Sequence, residues 1–259
     1  MSARFDHVVV FVPSLEKAIN DFTDLGFNVT RGGAHGSTEN ALIIFSNQSY
    51  IELLALRRVW FAPFVRVASR LGILEHLAER KGNIFCRLLL WVNGEFGPVD
   101  WCVRVNDLAA KLSYWKDEGL QVLKSESFSR KRLDGQVPRW YLGGTRNIDL
   151  PVLIEDITPF DDRVPLTGVA AHPNGAEKLV QMTLRVSDKL SADKMLRKFL
   201  LPKVCDSNVD DEDISIGDVK VRLADHSMTR KFALTLSSTE LQVQQLDTTK
   251  CHGLTIDLV

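Results

Sequence analysis

An α+β fold built from tandem βαβββ modules is the prediction from this sequence, and it rests first on a pattern that occurs twice. Asp6-His7 leads into an apolar strand at 8–12, and a helix opening at Ser14-Leu15 closes at Asp24-Leu25-Gly26. Later, Asp100-Trp101 leads into a strand at 102–105, and a helix opening at Asp107-Leu108 closes at Asp117-Glu118-Gly119. The two helix starts and the two helix ends keep one separation, which marks an internal duplication. The second observation is that short apolar runs bounded by turn residues follow each helix and read as strands.

The first module covers 1–56. Ser14 is the predicted N-cap, and Leu15, Ala18, Ile19, Phe22 and Leu25 repeat at helical spacing. Gly26 ends the helix in the left-handed conformation. Strands are expected at 27–30, 41–45 and 50–56, the last two joined by Ser46-Asn47-Gln48-Ser49. Residues 57–97 form an excursion in which Trp60, Phe61, Phe64, Val67, Leu71, Leu74 and Leu77 suggest helix interrupted by Pro63 and Gly72. It reads as a packed connection or as a lid, with His76 structural.

The second module covers 98–165. Its helix carries Leu108, Leu112 and Trp115 inward, with Asp107 as N-cap and Gly119 as terminator. Strands follow at 122–128, 137–142 and 150–157, and Asp134-Gly135 marks a hairpin turn. Residues 166–259 read as a third, diverged C-terminal module: a strand at 179–186, a helix near 191–201 and short strands to the C-terminus.

With 259 residues, 45% hydrophobic and 25% charged, the chain has the composition of a globular protein with a real core. A formal net charge of −1 gives no field to gather nucleic acid or anionic lipid. The longest apolar runs are too short to cross a bilayer, and Asp6 and His7 interrupt anything resembling a signal peptide. Cys86, Cys102, Cys205 and Cys251 are widely spaced, so reduced thiols and a cytoplasmic location are expected. The expected partner is a small-molecule ligand, with a homodimer as a further expectation; neither nucleic acid nor membrane is expected.

The chemistry-bearing positions are ionisable residues in apolar strands, which need a partner, a metal or water. His7 shares a strand face with Val9 and Phe11, Glu52 shares one with Tyr50 and Leu54, and Glu155 ends an apolar run in the second module. Imidazole and carboxylate together suit a divalent first-row metal. Taken without further information, His7 hydrogen-bonded to Glu52 in the core is the competing reading.

The stretches Phe5-Asp6-His7-Val8-Val9, Asp24-Leu25-Gly26-Phe27, Gly32-Gly33-Ala34-His35, Thr38-Glu39-Asn40-Ala41 and Tyr50-Ile51-Glu52-Leu53 resemble the glyoxalase-like branch of the vicinal oxygen chelate superfamily. So do Arg132-Leu133-Asp134-Gly135 through Trp140, Leu150-Pro151-Val152-Leu153-Ile154-Glu155, and His172-Pro173-Asn174-Gly175-Ala176. The resemblance implies a glyoxalase/bleomycin-resistance/dioxygenase-type fold with a divalent metal (Zn, Ni, Mn, Fe or Co) between paired modules. It places metal ligands at His7, Glu52 and Glu155, with one of the glutamates moving the proton in lyase or isomerase chemistry on vicinal oxygens. The pattern is broken at Trp101, where a ligand is expected, and Asp100 beside it is expected to face away. His35 or His172 would complete the set from a loop. The expected pocket is lined by His35, Asn40, Tyr50, Trp101, Trp140 and His172. The alternatives are a metal-free small-molecule-binding protein, for sequestration or sensing, and a non-catalytic interaction subunit.

Overall fold

The computed structural model describes residues 3–36, 38–57, 82–93, 95–166, 171–200, 213–225, 228, 231–240 and 243–259. His76, Cys205 and the apolar stripe from Trp60 to Leu77 lie outside them.

The two modules form one eight-stranded sheet. In the first, β1 (Ala3–Phe11) lies parallel to β4 (Tyr50–Leu56), with β3 (Thr38–Ile44) and β2 (Thr30–His35) beyond it. In the second, β5 (Gly97–Val105) lies parallel to β8 (Val152–Asp156), followed outward by β7 (Arg139–Thr145) and β6 (Val122–Ser129). Antiparallel pairing of β1 with β5 joins the halves and relates them by a pseudo-two-fold axis.

The first helix, α1 (Leu15–Asp24), starts where the Ser14 hydroxyl accepts from the Lys17 amide, and Gly26 follows it at φ +83°. The equivalent helix of the second module spans Leu108–Asp117; the Asp107 carboxylate accepts from the Ala110 amide, and Gly119 lies at φ +93°. One prediction shifts: the strand expected at 27–30 begins at Thr30 and runs to His35. Residues 32–35 therefore join the sheet, with a bulge between Arg31 and Gly33, and Gly33 at φ +136° supplies the backbone freedom it needs.

The C-terminal region repeats the same logic in a six-stranded sheet. Strand β9 (Ala176–Arg185) pairs parallel with β11 (Val219–Ala224) and antiparallel with β12 (Phe232–Ser238), and β12 pairs parallel with β14 (Thr255–Leu258). The edges are β10 (Asp213–Ile216) and β13 (Gln244–Gln245). This parallel, antiparallel, parallel order matches β4-β1-β5-β8, so the region carries the strand order of a module pair rather than of a single copy. The Trp115 indole N–H donates to the Phe199 carbonyl at 2.9 Å, and one apolar cluster runs through both sheets.

Opposite that cluster, the sheet is covered by α2 (Phe85–Asn93), the described end of the excursion. Its Arg87 is fully buried and holds Asp100 of β5 through two nitrogens, at 2.8 and 2.6 Å. The same guanidinium donates to the carbonyls of Thr145, Asn147 and Leu150, and the Trp91 indole also donates to Asp100. In sequence order the remaining helices are α3 (Leu108–Asp117), α4 (Phe160–Arg163) and α5 (Lys189–Leu200).

Removing one member of a buried ion pair strands the other without solvent. Asp100→Ala is therefore expected to destabilise the protein by about 3–5 kcal/mol, read from the midpoint of urea unfolding. Exposed Asp134→Ala, on a loop, serves as the near-neutral comparison.

Candidate functional site

Between the sheet and α2 lies a cavity of about 320 Å³. One wall comes from the first module and is polar, with His7, Asn40, Tyr50 and Glu52. The other is apolar, with Phe128, Trp140, Leu142 and Ile154, and α2 closes it with Phe85, Leu88, Leu89 and Trp91. Arg130 and Arg163 lie at the polar end.

A bulge sets this end. Phe5 pairs with Val103 but His7 pairs with Cys102, so Asp6 is the extra residue of β1. Phe5 accordingly faces the core, stacked on Trp101 with ring centroids 6.0 Å apart, while His7, only two residues on, faces the cavity. The Asp6 carboxylate turns to meet its neighbour: His7 Nδ1 donates to Asp6 Oδ1 at 2.7 Å. On the other side, His7 Nε2 faces Glu52 Oε2 at 3.3 Å, and the Tyr50 ring stacks on the imidazole at 4.5 Å. Asn40 Nδ2 donates to the second Glu52 oxygen, and Asn40 Oδ1 is buried without a partner.

Behind Asp6 stands Arg163, donating to both of its oxygens at 3.0 and 2.9 Å, to the Tyr50 hydroxyl at 2.6 Å, and to Asp156 at 2.6 and 3.1 Å. Burial works against the Asp6 carboxylate, yet Arg163 and His7 outweigh it and hold the group far below the usual carboxylate range. Glu52 is likewise lowered: burial opposes its charge and is overcome by His7, Arg130 and Asn40. Burial disfavours the His7 imidazolium too, but the acidic groups around it, Cys102, Tyr50 and hydrogen-bonded Asp6, hold its pKa well above 6.5. Of those three only Asp6 is ionised near neutrality, since burial raises both the Cys102 thiol and the Tyr50 phenol. His7 thus lies between two carboxylates, Asp6 and Glu52, whose charges favour its protonated form.

The structure brings His7, Glu52, Asn40, Tyr50 and Trp140 together around the cavity. His35 closes β2, and its side chain lies outside the described residues. Three expectations are corrected. Trp101 does not line the cavity; it is fully buried in the core, paired with Val8 on the pseudo-two-fold axis. Glu155 does not face His7; alternation along β8 sends Val152 and Ile154 to the cavity side, and Glu155 Oε2 instead accepts from the Leu108 amide at the start of α3. His172 lies against the far side of the first module, between Phe27 and Phe45, where Nδ1 accepts from the Asn28 amide and Nε2 donates to the Ile44 carbonyl. Burial lowers its pKa, so it is a neutral structural histidine.

The register reassigns the second half of the ligand set. Shifting the first module by the separation of the helix starts, Leu15 to Leu108, carries Val8 onto Trp101 and His7 onto Asp100, and the pairing agrees: His7 faces Cys102, and Asp100 faces Val9. Glu52 pairs with Val9, and the corresponding partner of Cys102 is Val152. The places equivalent to His7 and Glu52 therefore hold an aspartate already bound by Arg87 and Trp91, and a valine. Among the described residues no group of three or more His, Cys, Asp or Glu is placed to hold a metal ion. Among the described residues, Asp100 and Val152 at these two places do not fit the divalent metal that the resemblance implies.

A family model described as a glyoxalase-like domain matches residues 5–200. The chain belongs to this glyoxalase-like family. A hypothetical protein from Staphylococcus aureus has a similar structure, with a TM-score of 0.74 at 16% identity, over 100% of this chain and 99% of that one. Methylmalonyl-CoA epimerase from Mycobacterium tuberculosis matches with a TM-score of 0.35 at 16% identity, over 59% of this chain and 86% of that one. 2,2',3-Trihydroxybiphenyl 1,2-dioxygenase from Sphingomonas wittichii strain RW1 matches with a TM-score of 0.46 at 10% identity, over 100% and 90%. No curated protein matches the sequence. No helix among the described residues is long and apolar enough to cross a membrane.

Asp6, Cys102, Arg130 and Arg163 escaped the sequence reading. Asp6 was adjacent to His7 and needed only the bulge to join it. The two arginines sit in polar stretches, Ser129-Arg130-Lys131-Arg132 and Asp161-Asp162-Arg163, that resemble solvated loops.

The clamp makes a pH prediction. A histidine whose folded pKa is raised contributes stability that is complete below its unfolded value of about 6.5 and is lost as pH rises through the folded value. The thermal stability of the wild type is expected to fall as pH climbs above neutrality, while His7→Gln flattens that dependence. A parallel pH profile for the two proteins would show that His7 is neutral in the fold.

Proposed function

We propose that this glyoxalase-like protein is a metal-independent small-molecule-binding protein, serving sequestration or sensing. One observation carries the reading: an apolar cavity of ligand size survives although the second module's share of the family's ligand set has been replaced by Asp100, locked to Arg87, and by Val152. Aromatic and aliphatic side chains on three sides suit a ligand with an apolar body. The polar end offers fixed groups for orientation.

A second reading, a proton-transferring isomerase or lyase, has support in the Asp6–His7–Glu52 chain of contacts. The charges weigh against it. A general acid or base works best with a pKa near the working pH, and here the imidazolium is pushed up and the carboxylate down. Each stabilises the other as an ion pair, which costs both of them readiness to exchange a proton. A metal-dependent version of the same chemistry asks for donors that Asp100 and Val152 do not free. The interaction-subunit reading gains nothing from the described part of the excursion, because α2 spends its apolar face on the cavity.

Two measurements on the full-length protein test the binding reading. Elemental mass spectrometry on protein purified without chelator is expected to find transition metal far below one equivalent, with no uptake on titration with Zn or Mn. A screen of apolar small molecules by thermal shift is expected to yield stabilising compounds, a ligand at a hundred times its Kd adding about 2.7 kcal/mol. Leu142→Trp, which fills the cavity from its apolar wall, is expected to abolish those shifts. A stoichiometric metal lost on mutating His7 or Glu52 would overturn the proposal.

A further inference from the structure

We propose that Arg130 is an anion anchor, and that the ligand of this cavity is an apolar molecule ending in a carboxylate; the inference rests on the small-molecule-binding reading above. Arg130 follows β6, is 6% exposed, and lines the cavity. Its Nη2 donates to the Arg163 carbonyl at 2.6 Å, and its guanidinium carbon lies 5.9 Å from the centre of the Trp140 ring. Nε is buried with no hydrogen-bond partner, and among the described residues no carboxylate lies within ion-pair distance of this guanidinium.

The neighbouring charges explain why Arg130 is the one left over. Asp6 is matched by Arg163, by His7 and by Arg104 at 3.8 Å. Asp156 is matched by Arg163. Glu52 has both oxygens engaged, by His7 and by Asn40, so it attracts Arg130 from a distance without bonding to it. Glu39, also on the cavity, lies in the field of Arg31. A buried guanidinium that lacks a bonded anion is costly, and burial already works against the charge of this one. Supplying the anion from the ligand removes that cost, and the planar fork of donors suits a carboxylate. The apolar walls of Phe128, Trp140, Leu142 and Ile154 then take the rest of the molecule and keep water from screening the pair.

The test is calorimetric titration of the full-length protein with octanoate, 4-phenylbutyrate and 2-naphthoate, each beside its primary amide. The amide keeps the shape and removes the charge. At least one acid is expected to bind about 10–100-fold more tightly than its amide, and Arg130→Gln is expected to abolish that preference, so that acid and amide bind alike. Amides that bind as tightly as acids would overturn the anion anchor and leave the cavity reading intact. An acid preference that survives Arg130→Gln would overturn the assignment to Arg130. Silence from every acid and every amide would overturn the anchor and the binding reading together. Should Arg130→Gln fail to fold, Arg130→Met, which keeps the bulk of the stem without the charge, takes its place with the same expected and overturning results.

Discussion

The antiparallel pairing of β1 with β5 determines where every side chain of the site points. Strand side chains alternate, so a slip of one residue would exchange the cavity face for the core face along the whole strand. Val8 and Trp101 face each other on the pseudo-two-fold axis, both fully buried on the core side. Their bulk fixes the register: a tryptophan that fills the core cannot move to the cavity face without leaving a large void behind. His7 and Cys102 then fall opposite each other on the cavity side, and the Asp6 bulge is what permits Phe5 to remain in the core. One extra backbone residue thereby turns an apolar strand into one that also presents a charged pair.

The duplicated halves have diverged in electrostatics while keeping their geometry. On the first side, His7, Glu52 and Asn40 remain at the cavity. On the second, Asp100 has been drawn into the anchorage of α2, where Arg87 and Trp91 take its oxygens. The same residue cannot hold a covering helix and serve as a donor to a ligand. Retaining the helix brings Phe85, Leu88, Leu89 and Trp91 onto the cavity, so what the second half lost in polarity it gained in enclosure.

The architecture was legible because its signals are local. Ser14 and Asp107 cap helices, Gly26 and Gly119 end them, and apolar periodicity marks the buried faces; each can be read within a few residues. The site was legible in the first module for a similar reason, since His7 and Glu52 are charged residues in apolar strands. The second module misled because Asp100-Trp101 repeats the look of Asp6-His7, one residue out of step with the helices. A bulge leaves no signature in composition, and the equivalence it hides appears only once strands are paired. Glu155 was misplaced separately: it lies beyond Val152, the place equivalent to Glu52, and on the opposite face of its strand. The arginines were illegible for another reason: Arg163 is brought to Asp6 across 157 positions of chain, and no short-range pattern announces such a contact.

The buried charges form a connected network rather than separate pairs, and this bears on how selective the cavity can be. Asp6 joins His7 to Arg163; Arg163 joins Asp6 to Asp156 and, through its carbonyl, holds Arg130. Each group is fixed by at least one other, so the polar end is preorganised and little ordering is left to be done when a ligand arrives. Rigid polar groups at the end of an otherwise apolar cavity also discriminate, because a ligand that leaves one of them unmatched forfeits more than the contact itself. Tyr50 ties the two aspects together: its ring packs on His7 and its hydroxyl is held by Arg163, so the surface that meets a ligand is locked to the network behind it. On the proposed reading, a ligand would therefore place one polar group at this fixed end, while the apolar walls would accept variation in the rest of the molecule.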